Sequence, residues 1–145
     1  MTKSILCVCL GNICRSPTGE ALLRVALPDA HIDSAGTAGW HVGKPPYGPM
    51  QAAARARGYD LSQQRARQVT AEDFHRFDLI LAMDSSNLKD LQAIRPADAT
   101  ARLSLYLAPL DGAPRDVPDP YYTRDFDGVL DLIELAARAW AEKLA

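Results

Sequence analysis

An apolar run, Ile5-Leu6-Cys7-Val8, passes without a break into Cys9-Leu10-Gly11-Asn12-Ile13-Cys14-Arg15-Ser16-Pro17. No other stretch constrains the fold as much. Residues 4 to 9 have little polarity on either face, the pattern of a buried parallel strand. Ser16-Pro17 then opens a helix, because proline at a helix start lacks only an N–H that would have no intrahelical partner. Glu20, Ala21, Leu22, Leu23, Val25 and Ala26 continue that helix until Pro28 ends it. A strand that hands over to a helix through a short Gly/Asn turn is the opening unit of an α/β layer fold.

The alternation recurs along the chain. His31 to Ala35, closed by Gly36, Phe77 to Met83, and Ala101 to Leu103 read as three further strands. Between and after them lie a helix over Met50–Arg57 stopped by Gly58, a helical turn over Thr70–Phe74, and a helix from Asp84-Ser85-Ser86-Asn87 to about Ile94. Phe126 to Leu144 reads as a final amphipathic helix. The pattern predicts a small four-stranded parallel sheet with helices on both faces and a phosphate-binding loop after the first strand. Two Pro/Gly-rich loops, 36–49 and 110–123, are long enough to carry function. No repeat or linker divides residues 1–145, which read as one domain able to bury a real core.

Several function classes are excluded early. A net charge of −2 gives no general pull toward nucleic acid or anionic lipid. No apolar run approaches the roughly 18 residues of a spanning helix, and Met1-Thr2-Lys3-Ser4-Ile5 is too short for a signal peptide. The three cysteines, Cys7, Cys9 and Cys14, are odd in number and all lie in the first tenth of the chain. They cannot staple a secreted domain, so the expected compartment is the cytoplasm.

Cys7, inside the apolar run, suits a small core hydrophobe. Cys9 does not, because glycine, asparagine and arginine follow it. Ligands on such sheets bind at the carboxyl ends of the strands, where Cys9 to Ser16 falls. Gly11 permits an unusual backbone angle or a close approach to a ligand. The consecutive N–H groups of Leu10, Gly11, Asn12, Ile13 and Cys14 form an anion nest, joined by the positive end of the following helix. Arg15 holds two phosphate oxygens in a bidentate fork. The same cation and helix terminus stabilise a thiolate, so Cys9 is the candidate nucleophile of a reaction through phosphocysteine. Asn12 is expected to hold the loop in shape. Ser16 either donates to the Cys9 sulfur or caps the helix, or does both.

Loss of an alkoxide or phenoxide calls for a general acid elsewhere in the chain. Asp119, between Pro118 and Pro120, is the candidate, with Asp116 and Asp84 as rivals. The same carboxylate then deprotonates the water that cleaves the intermediate. No G-x-x-x-x-G-K-[ST], G-x-G-x-x-G or C-x-x-C is present. Neither the cysteines nor His31, His41 and His75 show ligand spacing, so no metal and no cofactor is expected.

With these residues in hand, the chain resembles the low-molecular-weight protein tyrosine phosphatases, which carry V-C-x-G-N-I-C-R-S-P near the N-terminus and D-P-[YF] near the C-terminus. Both motifs stand here, as Val8 to Pro17 and Asp119-Pro120-Tyr121. Further likeness lies in Asp33-Ser34-Ala35-Gly36, Ala66-Arg67-Gln68 and Met83-Asp84-Ser85-Ser86-Asn87-Leu88. The resemblance implies Cys9 as nucleophile, Arg15 as phosphate ligand, Asp119 as acid and then base, and Ser34 as a brace for Asn12. It also implies Trp40 as one wall of the pocket, facing Tyr121 and Tyr122, and a reversible disulfide between Cys9 and Cys14. The expected substrate is a phosphotyrosine protein or a small aryl phosphate, with inorganic phosphate inhibiting as product. The expected state is a monomer or a weakly self-associating one. Some relatives carry a histidine where this chain has Gln63-Gln64, so loop support here is expected to use an amide.

Two other functions fit the chain less well. Arsenate reduction on the same fold needs relay thiols, and no cysteine follows Cys14. A non-catalytic phosphotyrosine-binding module would be expected to have lost Cys9 or Asp119, and both are present.

Overall fold

The computed structural model describes residues 3–144; Met1 and Thr2, which begin the segment read against a signal peptide, and Ala145 lie outside the described residues. Four strands, β1 (Ser4–Cys9), β2 (His31–Gly36), β3 (Leu79–Ala82) and β4 (Arg102–Leu105), form one parallel sheet in the order β2-β1-β3-β4. Alternation along β1 sorts the core. Ile5, Cys7 and Cys9 face one way with Leu79 and Leu81, against α1 (Arg15–Ala26), α2 (Gly48–Ala56) and α6 (Phe126–Leu144). Leu6 and Val8 face the other way with Ile80 and Ala82, against α3 (Asp73–Arg76) and α4 (Ser85–Ile94). Both faces are covered, as a fully parallel sheet requires.

The chain runs from β1 outward to β2 and then crosses to β3 on the other side of β1. This reversal opens a crevice at the carboxyl ends of β1 and β3, and the loop after β1 fills it. The loop is seated on the end of β2. The N–H groups of Thr37 and Ala38 donate to the carbonyls of Cys9 and Leu10, each at 2.9 Å. Gly36 makes this seat possible, because a Cβ there would stand 2.8 Å from the Leu10 carbonyl oxygen and 3.2 Å from the Asn12 nitrogen.

Several element boundaries differ from the sequence reading. α1 begins at Arg15, ahead of Ser16-Pro17, so Cys14 and not Ser16 stands at its N-cap; α2 spans Gly48–Ala56 rather than Met50–Arg57, and α3 lies at Asp73–Arg76 rather than Thr70–Phe74. β3 begins at Leu79 rather than Phe77, because Asp78 turns its carboxylate to the N–H groups of Lys3 and Ser4 at 2.8 and 3.1 Å. β4 lies at Arg102–Leu105, later than the expected 101–103. The loop expected over 110–123 ends in a single helical turn, α5 (Pro120–Thr123), with Asp119 at its N-cap accepting from the Tyr121 N–H. Asp followed by proline at the first helical position is a start signal. Among the described residues no helix is long and apolar enough to cross a membrane.

Candidate active site

Cys9 is the last residue of β1, and Cys14 is the N-cap of α1 with no side chain capping it and no acidic residue in the first turn. The first N–H groups of α1 therefore have no side-chain partner and remain available to an anion. Between these two residues the loop must reverse. The left-handed residue that allows it is Asn12, at φ 58°, and not Gly11. Asparagine tolerates this region better than most residues because its side chain is short and polar. Gly11 serves a close approach instead, since a Cβ there would lie 3.0 Å from the His41 ring.

Asn12 is held at its backbone N–H and at both polar atoms of its side chain. Its backbone N–H donates to Cys9 Sγ at 3.3 Å, and its Nδ2 donates to Ser16 Oγ at 2.8 Å and to Ser34 Oγ at 3.0 Å. Its Oδ1 accepts the Arg67 N–H at 3.0 Å. Ser34 spends its one proton on Glu20 Oε1 at 2.8 Å, which leaves its oxygen free to accept from Asn12. Ser16 likewise accepts from Asn12, so its own proton is free for Cys9 Sγ 3.1 Å away. A hydrogen-bonded relay thus joins a buried carboxylate to the sulfur, with the Asn12 amide donating both ways, through Ser34 to Glu20 and through Ser16 to Cys9. Burial holds the Glu20 carboxyl above the usual range, opposed by the Ser34 hydrogen bond and by Arg24.

The amide expected over Gln63-Gln64 is supplied by Gln64 alone. Its Nε2 donates to the Pro17 carbonyl at 2.9 Å, and its Oε1 lies 3.5 Å from Ser34 Oγ. Gln63 reaches only Ser62.

Arg15 is buried, and its plane is set from behind: Nη1 donates to Asp84 Oδ2 at 2.6 Å and to the Val117 carbonyl at 3.0 Å. Burial lowers the Arg15 pKa, but the Cys9 charge, the Asp84 hydrogen bond and the Asp119 charge more than offset it, and the net shift is upward. The guanidinium is permanently charged. Asp119 Oδ2 lies 3.5 Å from Arg15 Nη2. Neither rival carboxylate lines the cavity that holds Cys9 and Asp119. Asp84 holds Arg15 and caps α4 through the Asn87 N–H, and Asp116 accepts from Ser85 N and Oγ at 2.9 and 2.7 Å.

Cys9, Arg15 and Asp119 share one cavity of about 220 Å³, lined also by Trp40 and His41 from the loop after β2 and by Tyr121 and Tyr122 of α5. Leu10, Gly11, Ile13 and Cys14 complete its lining. Trp40 is 71% exposed and stands at the rim rather than anchoring its loop. Asn12, Ser16 and Ser34 lie behind the cavity and act through the loop. Glu20, the Arg67 N–H and His41 are contributors that the sequence reading did not assign, and Asp84, read there as a rival acid, braces Arg15 instead. The described residues contain no cluster of three His, Cys, Asp or Glu placed to hold a metal ion.

Cys14 is chemically distinct from its neighbour. Burial, followed by the Cys9 and Asp119 charges, pushes its thiol up to about 12. It is therefore protonated at neutral pH and gains nucleophilicity only as pH rises toward that value. Iodoacetate at about neutral pH is expected to carboxymethylate Cys9 alone, with inorganic phosphate protecting it. Peptide mass mapping checks this, and labelling of Cys14 at a comparable rate would contradict it.

The geometry has counterparts among known proteins. A family model described as low molecular weight phosphotyrosine protein phosphatase matches residues 4–145. The low molecular weight protein-tyrosine-phosphatase YfkJ of Bacillus subtilis is 42% identical over 140 residues, covering 90% of this chain and 88% of that one. The human low molecular weight phosphotyrosine protein phosphatase is 40% identical over 152 residues, covering 98% and 96%. A crystal structure of an Entamoeba histolytica protein tyrosine phosphatase with Hepes in its active site superposes with a TM-score of 0.92 at 33% identity, covering 99% of this chain and 97% of that one.

Proposed function

The chain belongs to the low-molecular-weight phosphotyrosine protein phosphatase family, and we propose from that premise a residue-by-residue course for its hydrolysis of aryl phosphate monoesters. The observation that carries it is a thiol and an acid in one cavity, with a fixed guanidinium beside the acid. Cys9 Sγ attacks phosphorus in line with the ester oxygen, forming the S–P bond as the P–O bond breaks. Asp119 gives its proton to the departing phenoxide. Arg15 and the loop N–H groups hold the three equatorial oxygens, where the transition state spreads its charge. Asp119, now ionised, takes a proton from water as that water attacks phosphorus and cleaves the S–P bond. The Ser16 hydroxyl, 3.1 Å from Sγ, stabilises the thiolate as it leaves.

A phenyl ring reaching this floor would stand between Trp40 and Tyr121. A phosphoserine, being shorter, has less to place there. This supports phosphotyrosine as the preferred ester. The proposal treats residues 1–145 as one phosphatase domain, cytoplasmic, monomeric or weakly self-associating, and inhibited by inorganic phosphate as product. The three free thiols support the reducing compartment.

Rapid acid quenching during turnover of an aryl phosphate is the test. Peptide mapping is expected to find one phosphoryl group, on Cys9. A phosphoryl group on another residue, or full turnover with no covalent intermediate, would overturn the mechanism.

A further inference from the structure

Only two described non-glycine residues have positive φ, Asn12 and Arg124, the latter at 64° at the end of α5. Arginine has no local side-chain device to ease that conformation, which crowds the Cβ of an ordinary residue against the following carbonyl. Strain of this kind persists where the surroundings hold it. Here they do so from several directions. The Arg124 guanidinium lies against two aromatic rings, with Cζ 5.4 Å from the Tyr47 centroid and 5.2 Å from that of Phe126. Its Nη1 donates to the Tyr47 hydroxyl at 2.9 Å, and its backbone N–H closes α5 on the Pro120 carbonyl at 2.9 Å.

Tyr47 is the other half of the device. Its ring tilts against Tyr121 of α5, with centroids 5.2 Å apart, and its backbone N–H donates to the Ile13 carbonyl at 2.8 Å. Ile13 belongs to the anion loop. Arg124 and Tyr47 therefore connect the turn that carries Asp119 to the loop that carries Cys9. On the other side of Asp119, Arg15 holds the Val117 carbonyl and the Val117 N–H donates to the Met83 carbonyl at 2.8 Å. The acid is bracketed, with Val117 anchored before it and Arg124 after it. Released at Arg124, the single turn of α5 would pivot about Val117, and the Asp119 carboxyl would move with it.

We propose that Arg124 is a positioning residue for the acid step, its stack on Tyr47 holding the Asp119 carboxyl in reach of the departing oxygen. The inference rests on reading Asp119 as the acid. Its signature is selective, because a displaced acid slows esters whose phenolate leaves poorly and spares those that leave without help. Displacement of a catalytic group by about an ångström costs up to about 100-fold in rate.

The test compares kcat/KM for phenyl phosphate and p-nitrophenyl phosphate. Arg124→Gly relaxes the backbone while removing the stack, and Arg124→Asn also tolerates the left-handed region. Both variants are expected to lose about tenfold more on phenyl phosphate than on p-nitrophenyl phosphate, with phosphate inhibition within about twofold of the parent. Tyr47→Leu, which removes the platform and leaves the charge, is expected to show the same selectivity. In an Asp119→Ala background, Arg124→Gly should add no further selectivity. Folded Arg124 variants that treat the two esters as the parent does, or that keep their selectivity without Asp119, would overturn the clamp alone. An Asp119→Ala protein with the parent's leaving-group dependence would overturn the acid assignment, and the clamp with it.

Discussion

Cys9→Ser is expected to turn over aryl phosphate on the order of 10⁴-fold or more slowly than the parent protein while still binding inorganic phosphate. The two side chains have nearly the same shape, so the cavity and the relay behind it should persist. Ser16 Oγ and the Asn12 N–H, which reach Sγ at 3.1 and 3.3 Å, could both bond a hydroxyl oxygen. What changes is the nucleophile. A serine hydroxyl beside these donors has no base to remove its proton, because Asp119 must hold a proton for the leaving group in the same step. Phosphate binding depends on Arg15 and backbone N–H groups, which the substitution leaves alone. It also removes a negative sulfur from the side of a dianion. Steady-state kinetics together with calorimetric titration of phosphate would separate the two effects. Substantial turnover in the serine protein would remove Cys9 from the mechanism.

The fold could be read from the sequence largely because its core strands carry their own signal. Ile5 to Val8 and Leu79 to Ala82 are apolar on both faces, and only a sheet covered on both sides has use for that. Weaker strands were placed less well. β4 has one exposed and two half-buried residues of its four, so its periodicity says little about where it starts. In the site, the groups proposed to bind the anion lie within one motif and are legible together. Those that hold the motif in place are not. Glu20, Asp84 and the Arg67 N–H come from distant elements and meet Ser34, Arg15 and Asn12 only after the chain has folded. A carboxylate one turn into α1 has the sequence signature of a solvated helix face, and only its burial beside Ser34 distinguishes it. That the left-handed angle falls on Asn12 and not on Gly11 has a similar origin. Glycine was the natural candidate for a left-handed angle, but the four bonds that Asn12 makes require that angle of the asparagine. The clamp of Arg124 on Tyr47 joins residues far apart in sequence, and its arginine stands where a helix end would ordinarily take glycine or asparagine.

The second large effect is expected at Arg15, and it should differ in kind from the first. Arg15→Lys should lower kcat/KM for aryl phosphates by about 10³-fold and weaken phosphate inhibition as well. Charge alone is conserved in this exchange, and charge is not what the site has fixed. Asp84 and the Val117 carbonyl both take Nη1 of Arg15, which sets the guanidinium plane and leaves its other N–H groups for phosphate oxygens. An ammonium offers three donors around one atom, so it cannot satisfy Asp84 and also bridge two phosphate oxygens. Asp84, 20% exposed and 2.6 Å from Nη1, would draw the lysine back toward the sheet. The loss should be larger in the transition state than in the ground state, because the PO3 group flattens there and a planar fork matches its in-plane oxygens better than a single ammonium does. A fall in kcat/KM several-fold beyond the rise in the phosphate inhibition constant is therefore the expected pattern. Equal changes in the two quantities would mean that Arg15 only binds, and an unchanged inhibition constant would mean that the loop N–H groups hold phosphate without it. Either result would leave the anion nest, rather than the guanidinium, as the principal source of transition-state stabilisation.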